Sequence, residues 1–283
     1  NFDTNLYKIR ESFTQLLFSS KNDESTCEGE DDTIIEDTTS KFPKLSEIHH
    51  LISNDKGKKK QRDEKYRLLS PLLNDSYHRR KFQQQYEELV MNIILPNAYN
   101  SLPLSSQLQC QCQNHDKADA EAEAEPEMYY QAFPCIRLVR PGEFSIGIHA
   151  DCNYGFQYGN INYYLPLTKI NGSNSLAIES IPLKEDWHFL NINYGNIQRF
   201  HGSVCSHFTV ENTSPITRVS FDFRVIPSSL YTKHPNDRYS FEPGYYVKAK
   251  WCPSSGSKSG YWKRVDPLPE NGPDWRNGFP FVK

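Results

Sequence analysis

The sequence predicts a mainly β protein with helices at its N-terminal end. Apolar residues recur at helical spacing only before about residue 95. From Tyr129 onward, short β-rich runs alternate with Gly, Asn and Pro turns, and these runs start about 8–19 residues apart. No strand–helix–strand alternation of the kind a parallel sheet requires is present in that region. Short strands at that spacing point to a sandwich or barrel. A chain of 283 residues can bury the core of one large β domain or two small ones.

In chain order, Leu6, Ile9, Phe13, Leu16 and Leu17 predict an amphipathic helix over residues 4–19. An acidic stretch, Asp23 to Asp37, and a basic run, Lys56 to Arg62, follow. Such charge blocks are solvated more often than packed. Residues 65–95 are again helical, with Tyr66, Leu69, Leu72, Leu73, Phe82, Tyr86, Leu89, Val90 and Ile93 as the buried set. Pro71 should kink or restart this helix. Residues 105–127, ending in ADAEAEAEPE, read as a flexible low-complexity insertion.

The predicted strands are Ile136–Arg140, Phe144–Ile148, Ile161–Leu167, Ser175–Glu179, His188–Ile192, His207–Val210 and Thr217–Ile226. The aromatic-, proline- and glycine-rich end should wrap the β core as ordered loops. The expected organisation is a helical region over 1–128 with insertions at about 21–62 and 105–127. A β core over 129–247 and wrapping loops over 248–283 follow, all functionally one domain.

Composition excludes some partners. The net charge of -3 gives no basic excess for phosphate binding, so nucleic acid is not expected. No run of about 18 apolar residues is present, so no membrane partner is expected either. The chain opens at Asn1 without a charged-then-apolar leader, and a cytoplasmic location is the expectation. Seven cysteines, an odd and scattered set, do not read as a disulfide framework. The pair Cys110 and Cys112 is too closely spaced for the usual zinc motif, and no second pair follows.

In the last strand, TRVSFDFRVI, alternation puts Val219, Phe221, Phe223 and Val225 on one face. Arg218, Ser220, Asp222 and Arg224 share the other. A solvent-facing strand and a polar interior both fit that row. Upstream, His149 and Asp151 are one residue apart and project the same way in extended chain. With His207 they form a two-histidine, one-carboxylate set. Such a set leaves metal positions open, as non-haem Fe(II) oxygenases require. Arg218 lies 11 residues after His207, and Ser220 shares its face. His201, 17 residues before Arg218, competes with His207 on paper. So do Glu179 and the Asp186/His188 pair, whose simpler reading is turn and strand-end residues.

The order H-x-D, distant His, then Arg-x-Ser resembles the Fe(II)- and 2-oxoglutarate-dependent oxygenases. Three stretches resemble the streptomycin-biosynthesis-type branch of the phytanoyl-CoA-dioxygenase-like group: HADCNYGFQYGNINYYLPLT, NSLAIES and CSHFTVENTSPITRVSFDFRVIP. The likeness covers about residues 135–247. It implies a double-stranded β-helix core of the jelly-roll, cupin-like kind. It also implies Fe(II) on His149, Asp151 and His207, and 2-oxoglutarate anchored by Arg218 and supported by Ser220. Arginine suits that role because its planar fork matches a carboxylate.

Asn162 and Tyr164, on one face of the strand after the metal motif, are further candidates for contact with 2-oxoglutarate. Arg137 is a candidate for an acidic substrate group. The implied reaction uses O₂, releases succinate and CO₂, and hydroxylates a small molecule of secondary metabolism, such as an amino acid or sugar derivative. The alternatives are a non-catalytic jelly-roll metal-binding or sensor protein and a Zn- or Mn-dependent cupin-like enzyme.

Overall fold

The computed structural model describes residues 1–19, 42–51, 65, 67–73, 76–103, 125–232, 245–254 and 259–268. The charge blocks, Tyr66, residues 105–124, Cys110 and Cys112 fall outside these. Helix α1 (Ile9–Phe18) buries Ile9, Phe13, Leu16 and Leu17. Leu6 precedes the helix and is exposed. Within the stretch expected as an insertion, Leu45–Leu51 instead forms a 3₁₀ turn with Leu45 and Ile48 buried. This apolar pair, spaced i to i+3, sits on the side of the turn that faces the core.

Pro71 does interrupt the second helical region. Ser70–Leu73 is a 3₁₀ turn, and helix α2 (Tyr77–Leu89) starts afresh with the Ser76 hydroxyl accepting from the Arg79 N–H at 3.1 Å. The helical path then runs past its predicted end. A π turn (Val90–Ile94) leads into helix α3 (Leu95–Asn100), which has Pro96 in its first turn. The looser π turn shifts the backbone pairing just ahead of Pro96, whose missing N–H then costs little.

Among the described residues ten strands follow: β1 (Glu127–Gln131), β2 (Cys135–Val139), β3 (Ile161–Pro166), β4 (Ala177–Ile178), β5 (His188–Phe189), β6 (Gln198–Phe200), β7 (His207–Phe208), β8 (Arg218–Pro227), β9 (Tyr246–Pro253) and β10 (Gly260–Arg264). The larger sheet runs β10-β9-β1-β8-β3-β6, with β2 also paired to β8. The smaller sheet runs β5-β4-β7. Every pairing is antiparallel. The protein is thus mainly β, with helices at its N-terminal end.

Two expectations are corrected. Phe144–Ile148 forms no strand. The Thr209 hydroxyl accepts the Ile146 and Ser145 N–H groups at 3.0 and 3.3 Å, so a side chain takes the place of the ladder acceptor. What remains is the His149–His207 bridge and one backbone bond, from the Thr209 N–H to the Ile146 carbonyl at 3.0 Å. Residues 246–253 and 260–264 are not wrapping loops either: β9 and β10 extend the larger sheet, with Trp251 and Trp262 edge to face at 6.0 Å.

Strand β8 organises the interior. Val219, Phe221, Phe223 and Val225 are fully buried. They face the helices: Phe221 meets Phe13 at 5.1 Å and Phe82 at 5.6 Å, and Phe223 meets Tyr86 at 5.4 Å. On the opposite face Arg218, Ser220 and Arg224 are also buried. The polar row therefore lines an interior.

Candidate metal centre

Local geometry brings the H-x-D pair to His207. The backbone N–H and carbonyl of His149 pair with those of His207, at 3.1 and 2.9 Å. The Asp151 N–H then donates to the Gly202 carbonyl at 2.8 Å. The His149, Asp151 and His207 side chains, all buried, bring their ligand atoms within 4.8 Å of one another. Both imidazole Nε2 atoms lie 3.7 Å from Asp151 Oδ1.

Each ring is oriented from behind. His149 Nδ1 lies 2.8 Å from the Gly147 carbonyl and His207 Nδ1 lies 3.1 Å from the Cys205 carbonyl. Carbonyls only accept, so both Nδ1 atoms carry the proton and both Nε2 lone pairs point inward. Burial lowers the His207 pKa despite the nearby Asp151 charge, which keeps this ring neutral. Burial by itself would raise the Asp151 pKa. The Arg224 charge, with the hydrogen bond from Asn162, outweighs it and holds the carboxyl well below its ordinary range. Two imidazoles held by carbonyls behind them and one firmly ionised carboxylate suit a divalent transition metal and leave open positions.

Beyond the triad, Asn162 Nδ2 donates to Asp151 Oδ2 at 2.6 Å. The Asn162 amide thus supports the carboxylate, while its Oδ1 has no hydrogen-bond partner among the described residues. Arg137 does not stand free for a ligand: its Nε donates to Asp222 Oδ2 at 2.7 Å. Arg218 differs from its neighbours. It is buried, and its Nη1 donates to the Ser175 carbonyl at 3.2 Å. Its Nε has no hydrogen-bond partner among the described residues, and neither do the Ser220 and Tyr164 hydroxyls.

The competing ligands lie elsewhere. Glu179 accepts from the Ser206 and Glu185 N–H groups and so fastens two turns together. Asp186 is engaged by Ser180 and Lys184, and exposed His188 lies 3.5 Å from it. His201 is exposed.

Arg224 was missed from the sequence. Its Nε and Nη2 both reach Asp151 Oδ2 at 2.8 Å. The alternation that places Arg218 inside places Arg224 there as well, so the signal was present.

No family model matches the chain. Over 118 residues it is 34% identical to the "Streptomycin biosynthesis protein StrG" of Streptomyces griseus, covering 41% of this chain and 55% of that protein. The match thus spans about half the length of this curated relative. Among solved structures, a non-heme monooxygenase, the ThoJ–Ni complex, aligns with a TM-score of 0.31 at 18% identity, over 53% of this chain and 58% of that one. The ThoJ apo form aligns with a TM-score of 0.39 at 13% identity, over 75% and 77% of the two chains. These structural likenesses are loose, and the chemistry of the site rests on its own geometry.

Proposed function

We propose that the protein is an Fe(II)- and 2-oxoglutarate-dependent oxygenase acting on a small molecule, with its two sheets forming a double-stranded β-helix. One observation carries this reading. On the face of β2 and β8 that looks toward the His149–Asp151–His207 cluster, Arg137 of β2 and Arg224 of β8 are matched by Asp222 and Asp151, whereas Arg218 of β8 is buried with no carboxylate at ion-pair distance among the described residues. A buried guanidinium stays charged and needs an anion. The hydroxyls of Ser220 and Tyr164, also without hydrogen-bond partners among the described residues, suit the same anion. Tyr164 lies within electrostatic reach of Arg218. A diacid able to bind the metal at one end and to reach Arg218 with the other would satisfy these groups.

Bound Fe(II) with 2-oxoglutarate and O₂ supplies oxidation of an unactivated C–H bond, coupled to release of succinate and CO₂. The chain's own part is placement. His149, Asp151 and His207 would hold the metal and leave positions open for ligands. Arg218 fixes the distal carboxylate of the co-substrate. The apolar walls, among them Phe200, whose ring meets His207 at 5.2 Å, keep water from the reacting centre. The similarity to a streptomycin-biosynthesis protein supports a substrate that is an amino acid or sugar derivative.

The test uses protein reconstituted with Fe(II) and ascorbate, with succinate measured against added 2-oxoglutarate. We expect iron-dependent succinate formation. Arg218→Ala should raise the 2-oxoglutarate Kd about 100-fold, the equivalent of about 3 kcal/mol for a charged hydrogen-bonded pair, while metal affinity is kept. Absence of both succinate formation and 2-oxoglutarate binding refutes the proposal.

A further inference from the structure

We propose that Arg224, together with Asn162, is the positioning device for Asp151: it occupies one carboxylate oxygen completely so that only the other can face a metal. This rests on the reading of His149, Asp151 and His207 as metal ligands. Oδ2 of Asp151 receives three donors: Arg224 Nε and Nη2 at 2.8 Å each and Asn162 Nδ2 at 2.6 Å. Oδ1 is the oxygen that lies 3.7 Å from each imidazole Nε2. A carboxylate with one oxygen so engaged can offer a metal a single atom, which keeps the neighbouring coordination position open for a ligand or substrate.

The clamp is itself held in place. Arg224 Nη1 donates to Gln131 Oε1 at 3.3 Å and lies 3.5 Å from Asp222 Oδ1. The guanidinium carbon sits 3.9 Å from the centroid of the Phe156 ring, so one face of the plane is covered by an aromatic. Arg224, Asn162, Gln131 and Asp151 are each at most 4% exposed. Strand register fixes the geometry. Asn162 on β3 is the direct cross-strand neighbour of Arg224 on β8, so both side chains emerge on one face beside the same carboxylate. The fork geometry matters as much as the charge, because two parallel N–H groups converge on one oxygen, which a lysine ammonium cannot reproduce.

Charge-conserving variants test this without altering the field at the metal. Co(II) serves as a redox-silent probe, and its uptake is followed by calorimetry and by its visible d–d absorption. Arg224→Lys keeps the positive charge and loses the fork, and Asn162→Ala removes the third donor. Each should weaken Co(II) binding about tenfold or more and change the visible spectrum, with far-UV circular dichroism like that of the wild type. Co(II) affinity and spectrum unchanged in Arg224→Lys overturn the assignment. Should that variant fail to fold, Asn162→Ala decides by the same criterion. Wild-type protein that takes up no Co(II) refutes the metal reading itself, and this inference with it. Wild-type binding that is lost in Asp151→Ala and unaffected by the two variants sinks the inference alone.

Discussion

At the residue scale, the charges of Asp222 and Arg224 on β8 are balanced locally, and that balance predicts behaviour. Asp222 lies between Arg137, 2.7 Å from its Oδ2, and Arg224, 3.5 Å from its Oδ1. Burial by itself would raise the Asp222 pKa, but the two guanidinium groups outweigh it and lower it. Removing one partner of a buried pair leaves the other desolvated without its counter-charge, so Asp222→Asn should cost about 3 kcal/mol in urea unfolding. The sign of the pH dependence follows from the direction of the shift. A carboxyl with a depressed folded-state pKa contributes stability that is complete above the unfolded-chain value, about 3.9. That contribution is lost as pH falls toward the folded value. Wild-type protein should therefore lose stability below about pH 4, and the slope in Asp222→Asn should be shallower. Equal slopes would show that Asp222 is not stabilised by its arginines. Gly202 makes a second prediction at this scale. A Cβ there would stand 2.7 Å from Asn162 Nδ2 and 2.7 Å from the Phe200 ring, and the Asn162 amide is pinned by Asp151. Gly202→Ala should weaken Co(II) binding through the displaced Asn162, and calorimetry of that variant would show it.

At the element scale, β8 is a two-faced strand buried on both sides, and this explains what the sequence did and did not reveal. Period-two alternation assigned Phe221 and Phe223 to one face and Arg218 and Arg224 to the other. It left open whether the polar face met solvent, because that depends on what packs opposite. The helices cover the aromatic face, and the His149–Asp151–His207 segments cover the polar one. The convergence of those three side chains was legible because H-x-D is local and His207 sits at a fixed distance before β8. The role of Arg224 was not, since a second arginine on the strand looks the same in sequence whether it serves an anion or a neighbouring carboxylate. β4, β5 and β7 are shorter than the apolar runs suggested, as alternation reports which way side chains point and not whether the backbone finds a partner. β9 and β10 went unrecognised because Tyr, Trp, Lys and Gly in that region gave weak alternation, though these strands pair over most of their length. The aromatic face carries its own prediction. Phe221 is fully buried between Phe13 and Phe82. Phe221→Ala should cost about 3–5 kcal/mol, measured by denaturant unfolding, and a loss below about 1 kcal/mol would mean that the helices do not depend on this contact.

At the scale of the whole molecule, the candidate centre draws on segments far apart in sequence. His149 and Asp151 come from the segment after β2, His207 from the smaller sheet, and Asn162 and Arg224 from the larger one. The opposite face of that larger sheet carries α1 and α2. A metal held by such a set can form only when both sheets and the helices behind them are in place. Metal binding should therefore stabilise the entire fold, not a loop. At a Co(II) concentration 100 times its Kd, the gain is about 2.7 kcal/mol. It should appear as one coincident shift in tryptophan fluorescence, to which Trp251 and Trp262 of β9 and β10 contribute two of the four tryptophans, and in helical circular dichroism, which samples α1 and α2. Asp151→Ala should abolish the shift in both signals. If metal raised the fluorescence transition and left the helical one where it was, the helices and the site would belong to separate cooperative units. The Phe13–Phe221–Phe82 cluster argues otherwise, since it joins both helices to the strand that carries Arg218 and Arg224.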